Sequence, residues 1–203
     1  MVKNMSFKLP HVGMIFLENN PISEQYKSIV SQSWINAGFR IDYYQGITPD
    51  TFSHSVKELN FGKKKAGRNK GRDFTETEKA IWYSHIKMWD IASRKASPFI
   101  IIEHDVMLLE HIDIIDIERY DILGLCHNGL LSKNPQRGYR VSAGGAYMLK
   151  NNVAKKMLDN LPDEITTNSD AYIHNYITRY GAFKHKHSTQ LYLPDLGVTI
   201  DHD

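Results

Sequence analysis

Three ionisable side chains, Glu103, His104 and Asp105, stand together inside the apolar run from Pro98 to Leu109. Two carboxylates at one point form a hard, oxygen-rich site suited to Mg²⁺ or Mn²⁺ and to the diphosphate such an ion can carry. An apolar run bounded by a proline reads as a strand buried on both faces, the pattern of parallel sheets. Burying two carboxylates and an imidazole is costly unless they are paired, so the triplet is expected where the strand leaves the sheet and meets solvent. Ligands of open α/β sheets bind at those carboxyl ends. The same triplet is also the composition of a solvated turn or a helix cap, and its neighbourhood favours the site.

The preceding elements must position that strand. Val12 to Leu17 is an apolar run ending at the turn signal Glu18-Asn-Asn-Pro21. Ser23 is placed to cap a helix with apolar positions Tyr26, Ile29, Val30, Trp34 and Ala37, stopped by Gly38. Phe39, Ile41 and Tyr43 then alternate as a second strand, which makes a βαβ start and puts the loop around Glu18 in the switch region where nucleotides bind. No glycine-rich phosphate fingerprint is present, which argues against a dinucleotide or Walker-type site. Thr75-Glu-Thr-Glu78 is a capping box opening a helix of about five turns. His85 falls on its inward stripe, where a lone histidine is more often a satisfied core residue than a ligand contact.

Downstream, Tyr120 to Leu125 reads as a strand, and residues 128–140 as a loop long enough to fold over a substrate. Ala143, Gly144 and Gly145 precede a strand-like run ending at Leu149, and small residues there admit either a ligand or a tightly packed helix. Asn151 or Asn152 is expected to cap a helix through Leu161. Another helix starts at Ser169 with Asp170 in its first turn, where the helix dipole alone favours a carboxylate. His185, His187 and the closing Asp201-His-Asp203 have no specific metal-ligand spacing.

The chain has 203 residues and a formal net charge of only +2, so basic character must be local. It is local: Lys63, Lys64, Lys65, Arg68, Lys70 and Arg72 place six cations in ten residues. Rich in glycine and without apolar periodicity, residues 62–73 read as a mobile surface loop. It is either a solvated insertion or a contact for a polyanion, the phosphates of nucleic acid or of a lipopolysaccharide core. No apolar run reaches the ~20 residues that span a bilayer, and the N-terminus lacks the apolar core of a secretion signal. A cytoplasmic protein is expected, the host's cytoplasm if the source is viral. The single cysteine, Cys126, cannot form an internal disulfide.

Taken in order, Lys79 to Trp89 with its Ser84-His85 pair, Glu103-His-Asp105, Tyr120 to Leu125, Ser142 to Leu149 and Ser169-Asp170 resemble glycosyltransferase family 25. This group contains lipooligosaccharide and collagen galactosyltransferases. The resemblance runs from Val12 to Pro194, and it departs from the family where His104 replaces the middle acid and where Phe16-Leu-Glu-Asn19 replaces Asn-Leu-Asp-Arg. It implies one GT-A-type glycosyltransferase domain over residues 1–203, an α/β fold with a mostly parallel mixed sheet flanked by helices. It also implies a metal-dependent, inverting hexosyl- or pentosyltransferase using a UDP-sugar. Asp105 and Glu103 would hold Mn²⁺ or Mg²⁺, with His202 as a C-terminal ligand. Glu18, His85, Glu103, His104, Gly144 and Gly145 would face the donor, and Asp170 would be the base for the acceptor hydroxyl.

Lys63, Lys64, Lys65, Arg68, Lys70 and Arg72 would face the acceptor. Small family members in bacteriophages, which the chain is similar to in size and in its Lys, Asn, Ile and Tyr content, are linked with sugar addition to hydroxymethylated cytosine in DNA. That acceptor is narrowly favoured here over a lipooligosaccharide sugar. Two other readings stay open: a non-catalytic module binding a nucleotide sugar or nucleic acid, and a two-carboxylate hydrolase, for which neighbouring acids on one short loop are poorly separated.

Overall fold

The computed structural model describes residues 9–51, 58–65, 70–108, 112, 114–125, 144–183 and 189–191. The sequence-expected βαβ start is present: β1 (His11–Phe16), α1 (Pro21–Asn36) and β2 (Ile41–Gln45), with β1 and β2 parallel. The helix begins two residues before Ser23. Asn20 is its cap, accepting from the Ser23 N–H, while the Ser23 hydroxyl accepts from the Leu17 N–H at 2.8 Å and so ties the turn to the helix. Gly38 ends the unit at φ 88°, a conformation glycine adopts without steric cost.

α2 (Glu76–Ser93) opens with the expected capping box, the Thr75 hydroxyl and the Glu78 carboxylate satisfying each other's backbone N–H groups. It leads into β3 (Phe99–Glu103), where the first four residues are buried. The apolar run does not continue as one strand. His104 and Asp105 make a turn, and β4 (Val106–Leu108) leaves to pair with β8 (Thr189–Leu191) in a separate two-stranded sheet. α3 (Ile114–Arg119), in a stretch of weak periodicity, was not evident from sequence. Next come β5 (Ile122–Gly124), β6 (Ala146–Leu149), α4 (Asn151–Asp159), α5 (Ser169–Tyr180) and β7 (Ala182–Phe183). Lys150, not Asn151 or Asn152, occupies the cap position of α4, and Asn168 caps α5 by accepting from the Ala171 N–H.

The main sheet has the order β2-β1-β3-β6-β5-β7. β1 pairs in parallel with both β2 and β3, β6 runs antiparallel to β3 and β5, and β7 is parallel to β5. This is the expected mixed sheet. Period-two alternation sends Ile100 and Ile102 to a core with Trp34 of α1, and sends Phe99 and Ile101 to the opposite core with Trp82 and Trp89 of α2. By the same parity Glu103 faces the α2 side. Among the described residues no helix is long and apolar enough to cross a membrane.

At the far edge, a Cβ built on Gly181 would lie 1.8 Å from the Ile122 carbonyl oxygen, a backbone atom that cannot swing aside. Gly181→Ala is therefore expected to push β7 away from β5 and to destabilise the fold by about 3 kcal/mol or more. A urea midpoint equal to that of the parent chain would refute this.

Candidate active site

Because the chain passes from β1 outward to β2 and then returns to the other side of β1 for β3, the sheet has a switch point between β1 and β3. A crevice opens there at the strands' carboxyl ends. A cavity of about 230 Å³ occupies it. Its walls are Ile15, Phe16 and Leu17 at the end of β1, Ile47, Thr48 and Pro49 after β2, Glu103 and His104 at the end of β3, and Thr77, Ala80, Ile81, Ser84 and His85 of α2. Mostly apolar walls with a few convergent polar groups are the usual make-up of a small-molecule site. The Ser84 hydroxyl accepts from the Ile47 N–H at 2.7 Å and donates to the Ala80 carbonyl, so it fixes one wall to another.

The polar end of the cavity is built around Glu103. Its backbone N–H donates to the Gly145 carbonyl at 2.9 Å, and its carboxylate stands 3.5 Å from His85 Nε2. Burial pushes the Glu103 carboxyl up, but the His85 ring 3.5 Å away and His104 beside it outweigh burial and hold it below the ordinary range, so it stays ionised. His104 packs its ring 6.0 Å from Tyr26, and burial holds it below the usual histidine value against the opposing pull of Glu103 and the Ile15 backbone. It is mainly neutral at pH 7. Asp105 differs: burial, reinforced by the Glu103 charge, raises it to about 7. Its Oδ1 is buried with no hydrogen-bond partner among the described residues. A buried carboxylate oxygen left over beside an ionised neighbour is a site short of positive charge.

Asp170 comes from α5 to Gly144, the neighbour of the Gly145 that Glu103 contacts. Its Oδ1 accepts from the Gly144 N–H at 3.2 Å, and a Cβ on Gly144 would come within 2.3 Å of that oxygen, so only glycine lets the carboxylate settle there. Between the acids lies Tyr147 of β6, which sequence reading passed over. Its hydroxyl contacts His85 Nδ1 at 3.0 Å and Trp89 Nε1 at 2.8 Å. Burial raises its phenol far above the ordinary value, and both Glu103 and Asp170 push it further the same way. A lone hydroxyl-bearing residue in an otherwise aliphatic buried strand was the available signal.

The fold thus brings together Glu103, His104, Asp105, His85, Gly144, Gly145 and Asp170. Glu18 lies in the turn beyond β1 and is exposed, and the β1 end lines the cavity with Ile15 to Leu17 instead. His202, Arg68, Cys126, Ser142, Ala143, the 128–140 loop, His185, His187, Asp201 and Asp203 lie outside the described residues. Among those described, no three His, Cys, Asp or Glu side chains form a metal-holding group. Glu103 and Asp105 nevertheless suit a divalent cation, since both supply carboxylate oxygen and one of those oxygens is buried without a partner.

The basic segment needs correcting. Lys64, expected on an open surface loop, is 7% exposed and paired with Glu78, and Arg72 grips the same carboxylate with two bonds of 2.9 and 2.7 Å. Two feet of the segment are thereby pinned to the start of α2, and only Lys63, Lys65 and Lys70 among its described cations are exposed. Hydrogen bonding to Arg72, opposed by burial and helped by Lys64 and the Thr75 N–H, holds the Glu78 carboxyl down at about 2. Its contribution to stability is complete above the unfolded value of 4.5 and is lost as pH falls through about 2. Glu78→Gln is expected to cost about 1–3 kcal/mol at pH 7, with the gap to the parent closing over that acid window. A pH-independent gap in denaturant midpoints would contradict this.

A cleft at the switch point, walled mostly by apolar side chains and ending at the Glu103 carboxylate, defines the class: an α/β protein with a small-molecule-sized cavity at its strand ends. The family model for glycosyltransferase family 25 (LPS biosynthesis protein) matches residues 14–133, more than half of the chain, and the chain belongs to that family. It is a glycosyltransferase, with a mixed sheet flanked by helices. Among solved structures, a glycosyltransferase involved in the glycosylation of the major capsid of PBCV-1 is 14% identical, with 86% of this chain and 80% of that chain covered and a TM-score of 0.48. Mouse xyloside xylosyltransferase 1, in its apo form, is 10% identical, with 86% and 77% covered and a TM-score of 0.40. No curated protein matches the chain.

Proposed function

We propose that the protein is a cation-dependent, inverting glycosyltransferase that takes a sugar from a UDP-sugar bound in the switch-point cavity. The observation that carries this reading is the buried Asp105 Oδ1, without a hydrogen-bond partner among the described residues, two positions from the ionised Glu103 that lines the cavity. These two residues would hold Mn²⁺ or Mg²⁺, and the cation would supply neutralisation of charge on the departing diphosphate. The apolar walls formed by Phe16, Leu17, Ile47 and Ile81 bind the base and ribose. Asp170, held by the Gly144 N–H, accepts the proton of the attacking hydroxyl. Inversion needs one such base on the face away from the leaving group.

The acceptor is a hydroxyl on a polyanion, supported by exposed Lys63, Lys65 and Lys70. The family's description favours a sugar of lipopolysaccharide. The second reading, 5-hydroxymethylcytosine in DNA, draws on the same exposed lysines but loses the contribution of Lys64 and Arg72, which are turned inward. Incubation of the protein and Mn²⁺ with a panel of UDP-sugars, against lipooligosaccharide and against hydroxymethylated DNA, followed by mass spectrometry, tests both. A pentose or hexose mass gain on one acceptor is the expected result, and no gain on either with any donor would sink the proposal.

A further inference from the structure

Tyr147, Trp89 and His85 form a buried polar chain whose hydrogens can be counted. Tyr147 and Trp89 are fully buried, and so is His85. The indole Nε1 of Trp89 only donates, so at 2.8 Å the Tyr147 oxygen accepts from it. The Tyr147 hydroxyl must still place its own hydrogen, because a buried O–H without an acceptor is costly. Among the described residues the acceptor within reach is His85 Nδ1 at 3.0 Å. A ring nitrogen that accepts carries no proton, so in the neutral imidazole the proton sits on Nε2. Nε2 is buried, has no hydrogen-bond partner among the described residues, and stands 3.5 Å from Glu103 Oε1 on the cavity wall.

We infer that Tyr147 is a positioning residue: its hydroxyl locks His85 in the Nε2–H tautomer, which aims an N–H donor at the Glu103 carboxylate and the cavity and excludes His85 as a metal ligand. Trp89 aligns the tyrosine by donating to it. The consequence for donor binding rests on the proposed role of Glu103; the tautomer does not.

The test is long-range ¹H–¹⁵N correlation on the full chain with ¹⁵N-labelled histidine at pH 8, with the His85 signals assigned by their loss in His85→Gln. The expected wild-type pattern is an unprotonated Nδ1 and a protonated Nε2. A proton on Nδ1, or on both nitrogens, overturns the inference, and the wild-type spectrum decides this even if a variant fails to fold. Tyr147→Phe should abolish the preference, whereas Trp89→Phe should keep it; an unchanged tautomer in Tyr147→Phe overturns the lock. In kinetics, Tyr147→Phe should raise KM for the UDP-sugar about tenfold with kcat and acceptor KM little changed. An unaltered donor KM overturns the positioning role. A protein with this tautomer but no transfer activity would remove the proposed function and leave the lock standing, and an active protein with Nδ1–H would do the reverse.

Discussion

Asp170→Asn is expected to lower kcat for sugar transfer by about 10²–10⁴-fold, the range a positioned general base supplies, with donor affinity little changed. The amide keeps an oxygen that can accept from the Gly144 N–H, so the local geometry survives. What is lost is the capacity to take a proton. The stability effect is small, because a carboxylate in the first turn of α5 is worth only about 0.3–1 kcal/mol through the helix dipole. Donor binding, read by calorimetry with UDP and Mn²⁺, should stay near the parental value, since the proposed role of Asp170 is toward the acceptor hydroxyl and not the donor. A kcat within threefold of the parent would remove Asp170 as the base.

The second large effect separates activity from stability. Asp105→Asn should reduce transfer on the order of 10²–10³-fold at any Mn²⁺ concentration, the cost of removing a strong electrostatic contact from developing charge. The same change should stabilise the cation-free protein. Burial raises the Asp105 carboxyl to about 7 from its ordinary 3.8, so the folded state binds the extra proton between those values. Stability therefore falls as pH rises from 3.8 through about 7, and the full cost is present above that. Asparagine does not ionise. The variant's advantage is expected to be absent at low pH, to grow across this window, and to reach about 1–3 kcal/mol at pH 8 once partial solvation is allowed for. Mn²⁺ should raise the parental Tm by mass action and leave the variant's nearly unmoved. A variant less stable than the parent at pH 8 without cation, or one that transfers at the parental rate, would remove Asp105 from the site. The gain in stability on losing function is what a charge kept buried for catalysis predicts.

Much of the scaffold was legible because it depends on local pattern. Thr75 and Glu78 announce the start of α2, Gly38 announces the end of α1, and the run Phe99–Ile102 announces a strand buried on both faces. Each follows from contacts within a few residues. The end of β3 at Glu103 and the turn at His104 and Asp105 follow as well, but the expected exit to solvent does not: Glu103 stays in the strand and the Asp105 Oδ1 is buried. The misplaced caps at Ser23 and Asn151 have a local cause too: several polar residues adjoin each start, and only the path of the incoming chain selects among them.

What sequence alone determined about this protein is therefore the strand and helix content around one acidic strand end, and the ordered motifs that mark family 25. Tertiary structure decided the rest. Strand order set β3 beside β1 and so created the switch-point cavity. Residues 62 positions apart in the chain brought the Tyr147 hydroxyl under the His85 ring. Lys64, indistinguishable in sequence from Lys63 and Lys65, was buried against Glu78. The physical reason is common to all three: hydrogen bonds and ion pairs between distant segments depend on which faces meet after folding, and periodicity specifies a face without specifying its partner.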